Sequence, residues 1–528
     1  MSEIITAETK GGSSRRSSRR SARRRDSGQQ AEASSRSAQA PFKPLRNGHM
    51  RIEPLSADQL EAVHQASLRI ISEHGIRVLS ETARDALRQQ GCMVDDAEEI
   101  VRMDPAFVET MVAKAPSNFT LTPRNPDHAL HIGGDVVHFG LVSGPPNAHD
   151  MINGRRSGNY DDFTKLIRLG QHFNCIHFMG NQALATNDLP ANTRHLDSLI
   201  ATITLSDKIT SSMSIGRGRV MDAAKMLAIG RGMTLEELRE SPTAMTNINV
   251  NSPRVLDQEM SDAALTLASL GQAVIVTPFT LMGAMTPVTL PAALAQQNAE
   301  ALFTIALIQS QHPGAPVIYG GFTSNVDMKS GAPAFGTPEN ARANMAGGQL
   351  ARRYNLPHRT SACNASNVVD AQAAYETQMA LWGAVTGGGN LIYHGAGWLE
   401  GGLVSSFEKV IIDAEMLQMM IKLYDEPSFA DDEFAIDAMA EVGPGGHFFG
   451  CAHTLERYKD AFYEPLVSDW QNNENWQAAG SLTATERATA IWQHILETTE
   501  PPAIDPGIEE ELHAYVARRK EEIGQGEP

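Results

Sequence analysis

Short apolar runs alternate with amphipathic segments through the middle of the chain. Eight runs are rich in β-branched residues, as is typical of buried strands, at 136–142, 176–182, 208–215, 246–251, 273–279, 316–322, 358–364 and 390–397. Apolar positions recur at helical spacing between them, at 160–171, 255–270, 290–308, 339–354 and 370–385, and again at 406–423. Short apolar strands separated by helices indicate parallel pairing with both sheet faces covered. Eight such units predict a closed (β/α)₈ TIM barrel over residues 136–425. A Rossmann-like open sheet is the alternative, but no G-x-G-x-x-G joins a strand to a helix.

The segments on either side of the barrel have helical patterns. In residues 49–135, Ser56 and Gln59 form a capping-box pattern ahead of apolar positions at helical spacing, which predicts a helical N-terminal layer. Residues 426–528 hold acidic helical pieces and a long helix from Ile508, which predicts a helical C-terminal extension.

The composition is that of an ordinary globular protein, with 42% hydrophobic and 20% charged residues. No stretch is long and apolar enough to span a membrane, and the N-terminus has no apolar signal region, so we expect no membrane association. The four cysteines are far apart and form no C-x-x-C pair. They argue against a disulfide framework and favour a reducing, cytoplasmic location.

Charge is distributed unevenly along the chain. The net charge is −18, yet residues 1–48 carry eleven Lys/Arg against four Asp/Glu. The acidic remainder excludes nucleic acid as a partner of the body, because phosphates need cationic surfaces. The Arg/Ser-rich run cannot bury enough apolar surface to order itself, so 1–48 is predicted to be a disordered tail. It could bind RNA, an acidic partner or a membrane surface, or be a transit peptide; an extension without a specific ligand is the favoured interpretation.

The active site of such a barrel lies at the C-terminal ends of its strands. The residues expected there are Ser143, Asn181, Gln182, Asn249, Asn251, Thr277, Phe279, Phe322, Cys363, Asn364, Tyr393 and His394. This set is rich in amides, hydroxyls and aromatics, and it lacks a carboxylate pair, a Schiff-base lysine and a G-x-S-x-G elbow. It suits a site that holds a ligand while another component supplies reactivity. Its aromatics could face a quaternary ammonium, although aromatics in barrel strands more often belong to the core.

The last predicted loop, residues 387–402, contains seven glycines around His394, Trp398 and Glu400. Glycines permit positive φ and close approach of a ligand to the backbone. Three interpretations remain open: a phosphate nest, a flat surface for a large macrocycle, and a plain turn.

A second group of polar residues lies near the C-terminus. His447, Cys451 and His453 could ligate zinc, but their spacing matches no usual zinc pattern and no fourth ligand is evident. We therefore predict no bound metal.

Several segments resemble one known family. They are SACNASNVVDAQAAYE (361–376), HGAGWLEGGL (394–403), GPGGHF (443–448), GAMTPVTLPAALAQQNAE (283–300) and NVNSPRVLD (249–257). Together they resemble the trimethylamine methyltransferase (MttB) family over about residues 50–520. The resemblance implies a (β/α)₈ barrel that moves a methyl group from a methylamine to the cobalt of a separate corrinoid protein. Archaeal trimethylamine enzymes of the family carry pyrrolysine in the segment that corresponds to 361–366, where this chain has ordinary residues. The chain therefore resembles the pyrrolysine-free members, which include glycine betaine methyltransferases.

This resemblance gives the strand-end residues roles. A quaternary amine leaves as a neutral tertiary amine without a general acid, so the site need only orient an N-methyl group and exclude water. His394 and Asn364 are the predicted catalytic residues; His394, followed by Asn364 and Gln297, would hold a betaine carboxylate. Glu300 could face the ammonium or be solvated. The remaining predicted substrate-binding residues are aromatic: Phe279, Phe322, Tyr393 and Trp398.

The cofactor is expected on a partner. The chain has no D-x-H-x-x-G motif for cobalt, so a corrinoid protein should dock over the barrel mouth, in contact with Gly395, Gly397 and Glu400. A homo-oligomer is also expected. Two other functions are considered: a barrel lyase or aldolase acting on a phosphorylated substrate, suggested by the glycine-rich loop, and a non-enzymatic binder that recruits partners through its basic tail.

Overall fold

The computed structural model describes residue 39 and residues 41–180, 182–212 and 215–525. Most of the predicted Arg/Ser-rich tail lies outside the described residues. The ordered body begins earlier than residue 49, because Leu45–Arg46 forms a short strand that pairs antiparallel with Val136 and Val137. Leu45 is buried in the core, and burial of this apolar side chain accounts for the earlier boundary.

Eight parallel strands close into a barrel, which confirms the predicted fold. In chain order they are β1 (Val136–Leu141), β2 (Phe178–Met179), β3 (Ile209–Ser211), β4 (Ala244–Ile248), β5 (Ala273–Val276), β6 (Val317–Gly320), β7 (His358–Ser361) and β8 (Leu391–Ala396). Each strand pairs with the next, and β8 pairs with β1 through Leu391↔His138 and Ile392↔Phe139. The closed sheet has no free edge strand.

A helix follows every barrel strand and covers its outer face. These helices are α1 (Tyr160–His172), α2 (Arg194–Leu205), α3 (Gly216–Gly230), α4 (Gln258–Ser269), α5 (Leu290–Gln311), α6 (Pro338–Arg353), α7 (Ala371–Thr386) and α8 (Phe407–Leu423). A further short helix, Leu235–Glu240, lies between α3 and β4. No helix among the described residues is long and apolar enough to cross a membrane.

The N-terminal segment contains the predicted helices and also strands. Its helices are Ala57–Arg69, Glu81–Gln89 and Pro105–Val112, with a π-helical turn at Ile70–His74. Strands Ile76–Val78, Met93–Asp95 and Ile100–Arg102 join Val255–Leu256 in a four-stranded sheet. The sequence pattern predicted helices only, because strands of three residues are too short to display a period of two.

A small hairpin packs against the interior of the barrel. It pairs Phe119–Leu121 with Leu130–Ile132. Leu121, Leu130 and Ile132 are fully buried in one cluster with inward residues of the barrel strands, among them Ile209 and Ile318. This hairpin therefore covers the end of the barrel from which the strands start.

Two small sheets continue from the other end of the barrel. The first is formed by Phe279–Met282, Phe322–Val326 and Pro333–Ala334. The second is formed by Asn147–Asp150, Gly154–Ser157, Trp398–Leu399 and Val404–Ser406. They carry aromatic side chains to the mouth of the barrel.

The C-terminal segment is helical and packs on the barrel helices. It contains 3₁₀ turns at Asp431–Phe434 and Phe448–Gly450 and helices at Ile436–Val442, Ala452–Arg457, Asn473–Ala478, Ala484–Thr498 and Pro506–Gly524. Trp492 packs on Phe407 of α8, with ring centroids 5.1 Å apart. Tyr515 donates to buried Asp222 of α3 at 2.7 Å.

Candidate active site

Strand β7 places an arginine inside the barrel. Arg359 is only 2% exposed, and its guanidinium carbon lies 4.6 Å from the ring centroid of Tyr393 and 5.4 Å from that of Phe322. Its Nε and Nη1 atoms are buried and have no hydrogen-bond partner among the described residues. Burial lowers the pKa of Arg359 to about 10, so the group is still charged at neutral pH. A buried cation with unmatched donors lowers the stability of the protein unless an anion pairs with it.

His394 completes a pair of donors with Arg359. Nδ1 of His394 accepts a hydrogen bond from the backbone N–H of Ser143 at 3.3 Å, which leaves the proton of the neutral imidazole on Nε2. Nε2 lies 3.4 Å from Nη2 of Arg359. Burial, and the charge of Arg359, keep the pKa of His394 well below its ordinary value, so the ring is neutral. With that proton on Nε2, the imidazole and the guanidinium are neighbouring donors, and an oxygen anion bound beside them could accept from both.

Four aromatic side chains line the mouth beside this pair, and we call them the aromatic wall: Phe279, Phe322, Phe335 and Trp398. The Phe279–Phe322 centroid distance is 5.0 Å and the Phe322–Phe335 distance is 5.3 Å. Trp398 lies 6.2 Å from Phe335 and 4.2 Å from the ring of His394. The wall thus stands next to the two convergent donors.

The structure brings most of the predicted aromatics together. Phe279, Phe322 and Trp398 belong to the wall, whereas Tyr393 lies beneath Arg359, and its hydroxyl donates to Ser211 Oγ at 3.1 Å. Phe335 was missed because it lies in the loop after β6, where neither strand nor helix periodicity draws attention to it. Arg359 is absent from the predicted site residues because it lies within strand β7 and not at its end. The sequence feature that indicates it is an arginine in a strand that is expected to be buried.

Asn364 holds Trp398, one member of the aromatic wall, through hydrogen bonds. Its Nδ2 donates to the carbonyl oxygen of Trp398 at 2.6 Å and to Thr377 Oγ1 at 3.2 Å. Its backbone oxygen accepts from Trp398 Nε1 at 3.1 Å. These contacts place Asn364 against the indole of Trp398 rather than beside the convergent donors.

Gln297 and Glu300, both on α5, also have structural partners. Gln297 donates to Tyr319 Oη at 3.2 Å and accepts from Thr323 Oγ1 at 2.7 Å. Glu300 is fully buried and accepts from Ser252 Oγ at 2.6 Å and from Arg254 N at 2.9 Å. Burial nevertheless raises the pKa of Glu300. Both alternatives for Glu300, ammonium contact and solvation, are replaced by a role in holding the loop after β4.

The glycines of the last loop allow close packing within the protein. Gly395 and Gly397 are buried, and a Cβ on Gly397 would lie 2.9 Å from Val410. The N–H of Gly397 already donates to Asp413 Oδ2 at 2.8 Å, so it is not available to a phosphate. Glu400 pairs with Arg155 at 3.0 Å. The two predicted glycine contacts for a corrinoid partner are therefore covered, while Glu400 keeps a partly exposed side chain.

Neutral polar groups lie in or after the strands β2 to β5. They are Gln182 Nε2, Ser212 Oγ, Asn247 Oδ1 and Thr277 Oγ1, and within the described chain these buried atoms have no hydrogen-bond partner. Asn181 lies outside the described residues. Since buried polar atoms are normally satisfied, these atoms are candidates for contact with a ligand.

No group of three or more His, Cys, Asp or Glu side chains within the described ranges could hold a metal ion. Near the C-terminus, Cys451 Sγ lies 3.3 Å from Thr454 Oγ1. The four cysteines are all free thiols.

The fold is a (β/α)₈ barrel whose strand ends carry this group of buried donors and aromatic side chains. The family model described as trimethylamine methyltransferase (MTTB) matches residues 16–524. The chain belongs to this family and is a methyltransferase, which excludes the lyase and the non-enzymatic binder.

Similar proteins agree with this assignment. A glycine betaine methyltransferase of Desulfitobacterium hafniense (strain Y51) is 36% identical over 89% of this chain and 98% of its own length. A trimethylamine methyltransferase MttB of Desulfitobacterium hafniense (strain DSM 10664 / DCB-2) is 29% identical over 89% of this chain and 94% of its own. The solved structure of a hydroxylamine MtmB complex aligns with a TM-score of 0.53 at 10% identity, covering 88% of this chain and 90% of that one. This last likeness supports the fold alone.

Proposed function

We propose that this protein transfers a methyl group from a carboxylated quaternary amine of the betaine class, such as glycine betaine, to a corrinoid carried by a separate protein. The observation that carries the proposal is the convergence of two buried donors, Arg359 and His394, beside an aromatic wall. A corrinoid on a docked carrier protein would supply the Co(I) nucleophile, and the residues of this chain would hold the amine with one N-methyl group directed toward it.

The carboxylate of a betaine fits the donor pair. Arg359 offers buried, unmatched N–H groups, and His394 adds the N–H of Nε2. Charge-assisted hydrogen bonds of this kind contribute about 1.5–3 kcal/mol each. Trimethylamine has no carboxylate, so its binding would leave the guanidinium unmatched. The donor pair therefore favours a betaine over a simple methylamine.

The ammonium end fits the aromatic wall. The guanidinium of Arg359 lies over the rings of Tyr393 and Phe322, so that cation does not occupy the faces of Trp398 and Phe335. A quaternary ammonium over such a face gains about 0.5–2 kcal/mol per ring. With the carboxylate fixed at one end, an N-methyl group can point toward the open mouth. The leaving amine is neutral, so this geometry needs no proton donor at nitrogen.

The proposal also includes the contact with the corrinoid protein and the location in the cell. Among the predicted contacts, Glu400 with its neighbour Arg155 at the rim is the one that a docking corrinoid protein can reach. Four free cysteines suit a reducing compartment such as the cytoplasm.

Self-association is supported by a group of exposed apolar side chains in the C-terminal segment. They are Phe429, Phe434, Ile436, Met439, Phe448, Phe449, Leu455, Tyr458, Phe462 and Trp470. Each is at least 46% exposed, and large exposed apolar side chains are typical of interaction surfaces. Phe449→Glu combined with Phe462→Glu should lower the sedimenting mass, and Met328→Glu, at an exposed position elsewhere, should not. An unchanged mass would refute self-association through this surface.

The methyl transfer is tested by incubating the purified protein with cobalamin reduced to Co(I) and following the absorbance of methylcobalamin. Glycine betaine should give methylcobalamin, whereas trimethylamine should give little. Arg359→Met should abolish the preference between the two amines. Formation from trimethylamine but not from any betaine would refute the substrate class, and formation from no methylated amine would refute the proposal altogether.

A further inference from the structure

A chain of hydrogen bonds connects the aromatic wall to three buried residues on the barrel helices: Thr377 on α7, and Lys409 and Asp413 on α8. We propose that they are positioning residues, which together with Asn364 fix the orientation of Trp398. We call these four residues the Trp398 support. The consequence for substrate binding rests on the proposed function, whereas the positioning of the indole does not.

The support is built on a buried ion pair. Lys409 and Asp413 are four residues apart on α8, their side chains are 0% and 1% exposed, and Lys409 Nζ donates to Asp413 Oδ1. The same ammonium donates to Thr377 Oγ1 on α7 at 2.9 Å. A buried ion pair gains little net stability over apolar residues of similar volume, because both charges lose their hydration. Its presence here is better explained by the geometry that it imposes on its neighbours.

One arm of the support holds the backbone before Trp398. Asp413 Oδ2 accepts from the N–H of Gly397 at 2.8 Å. Gly397 has a φ of 99°, and a Cβ there would lie 2.9 Å from Val410. The chain therefore passes close to α8 at the residue that precedes the indole, and the carboxylate fixes it there.

The other arm holds Trp398 itself. Thr377 Oγ1 accepts from Lys409 Nζ and from Asn364 Nδ2, and this second contact is 3.2 Å. The same amide nitrogen donates to the carbonyl oxygen of Trp398 at 2.6 Å, and Trp398 Nε1 donates back to Asn364 O at 3.1 Å. Both ends of the residue, its carbonyl and its indole nitrogen, are thus fixed by one asparagine.

Packing fixes the remaining freedom of the ring. A Cβ on Gly402 would lie 2.6 Å from the indole, so the ring rests directly against that glycine. With its polar edge held by Asn364, the indole lies 4.2 Å from the ring of His394. A change at the ion pair should therefore reach the wall through Asn364 and Gly397.

The experiment uses the full-length protein labelled with 5-fluorotryptophan and observed by ¹⁹F NMR. The chain has five tryptophans, and Trp398→Phe identifies the resonance of interest. Thr377→Val removes only the hydroxyl and should shift or broaden that resonance, while Thr377→Ser should restore it. The double variant Lys409→Met, Asp413→Leu should give the same shift. The matched control is Lys165→Met, Asp161→Leu, which removes an ion pair of the same spacing at the surface of α1 and should leave the resonance unchanged.

Binding separates this inference from the proposed function. Glycine betaine affinity, measured by calorimetry, should fall about tenfold in Thr377→Val and recover in Thr377→Ser. If Thr377→Val and the double variant fold and leave the Trp398 resonance unmoved, the positioning role is refuted. If the resonance moves but the wild-type protein binds no betaine, the proposed substrate is refuted and the positioning role stands. If the double variant fails to fold, the comparison of Thr377→Val with Thr377→Ser still tests the positioning role.

Discussion

Nη2 of Arg359 lies 3.4 Å from Nε2 of His394, and both nitrogens are buried donors. A pair of donors facing each other does not stabilise the empty protein; it stabilises a complex with an anion. Under the proposed function this contact receives the substrate carboxylate, which a simple methylamine lacks.

Removal of the Arg359 charge should weaken substrate binding without weakening the fold. Arg359→Met replaces an unmatched buried cation with an apolar side chain, so we expect an unfolding free energy that is unchanged or higher by about 1–3 kcal/mol. The KM for glycine betaine should rise about a hundredfold, since a charge-assisted contact is lost. Denaturant unfolding and steady-state kinetics measure the two quantities. Arg359→Lys, which keeps the charge but loses the fork, serves as the control. An unchanged KM in Arg359→Met would remove this residue from the site.

Substitution of Glu300 should affect stability more than substrate recognition. Glu300→Gln leaves one carbonyl oxygen for the groups that now donate to the carboxylate, including Ser252 Oγ and Arg254 N. We expect a loss of about 1–3 kcal/mol in unfolding free energy, with the betaine KM changed less than about threefold. Urea denaturation and kinetics of the same preparation test both. A large rise in KM at unchanged stability would return Glu300 to the substrate-binding residues.

The close passage at Gly397 can be tested by adding a methyl group. Gly397→Ala combines a φ of 99° with a Cβ only 2.9 Å from Val410, so it should lower the midpoint of thermal unfolding clearly. Gly401→Ala is the matched control, because its φ of 60° is also positive while the nearest atom lies at 3.7 Å. The difference between the two variants measures the close contact with Val410 together with the less favourable φ of Gly397. Equal midpoints would mean that the loop moves away from α8 at little cost.

Stability should fall as the pH is lowered from 7 to 5. Burial lowers the pKa of His138 to about 4 and that of His358 to about 3, so both remain neutral in the folded state. The unfolded chain takes up these protons below its ordinary histidine pKa of about 6.5, and at pH 5 each such histidine then costs roughly 2 kcal/mol. Chemical denaturation at the two pH values measures the loss. His138→Gln should reduce the pH dependence, and an unaltered dependence would show that His138 does not titrate on unfolding.

The barrel could be predicted from the sequence because most of its buried parallel strands lie in short apolar runs. The more polar runs that contain β3 and β4 were also placed correctly, since helices flank them. Strand lengths were overestimated, as for β2, which spans Phe178–Met179. Apolar residues just outside a strand extend the apolar run in the sequence, although their backbones do not pair with the neighbouring strands.

The site was predicted only in part, for reasons of side-chain direction. His394, Phe279 and Phe322 follow from the rule that chemistry lies at strand ends, and Trp398 follows from the glycine-rich last loop. Gln297 and Glu300 bond to other groups of the protein, and no sequence pattern says which neighbour a buried polar residue on a helix will meet. Arg359 could be predicted only by a different argument, in which a charged residue in a buried strand indicates that an anion binds beside it.

The hairpin of Phe119–Leu121 and Leu130–Ile132 has a kinetic consequence. That end of the barrel is filled by packed side chains. Under the proposed function, the amine and its demethylated product would therefore use the opposite end, which is also the end that a cobalt carrier would cover. The amine would then enter before the carrier docks, and excess carrier should slow turnover by covering that end before the substrate arrives.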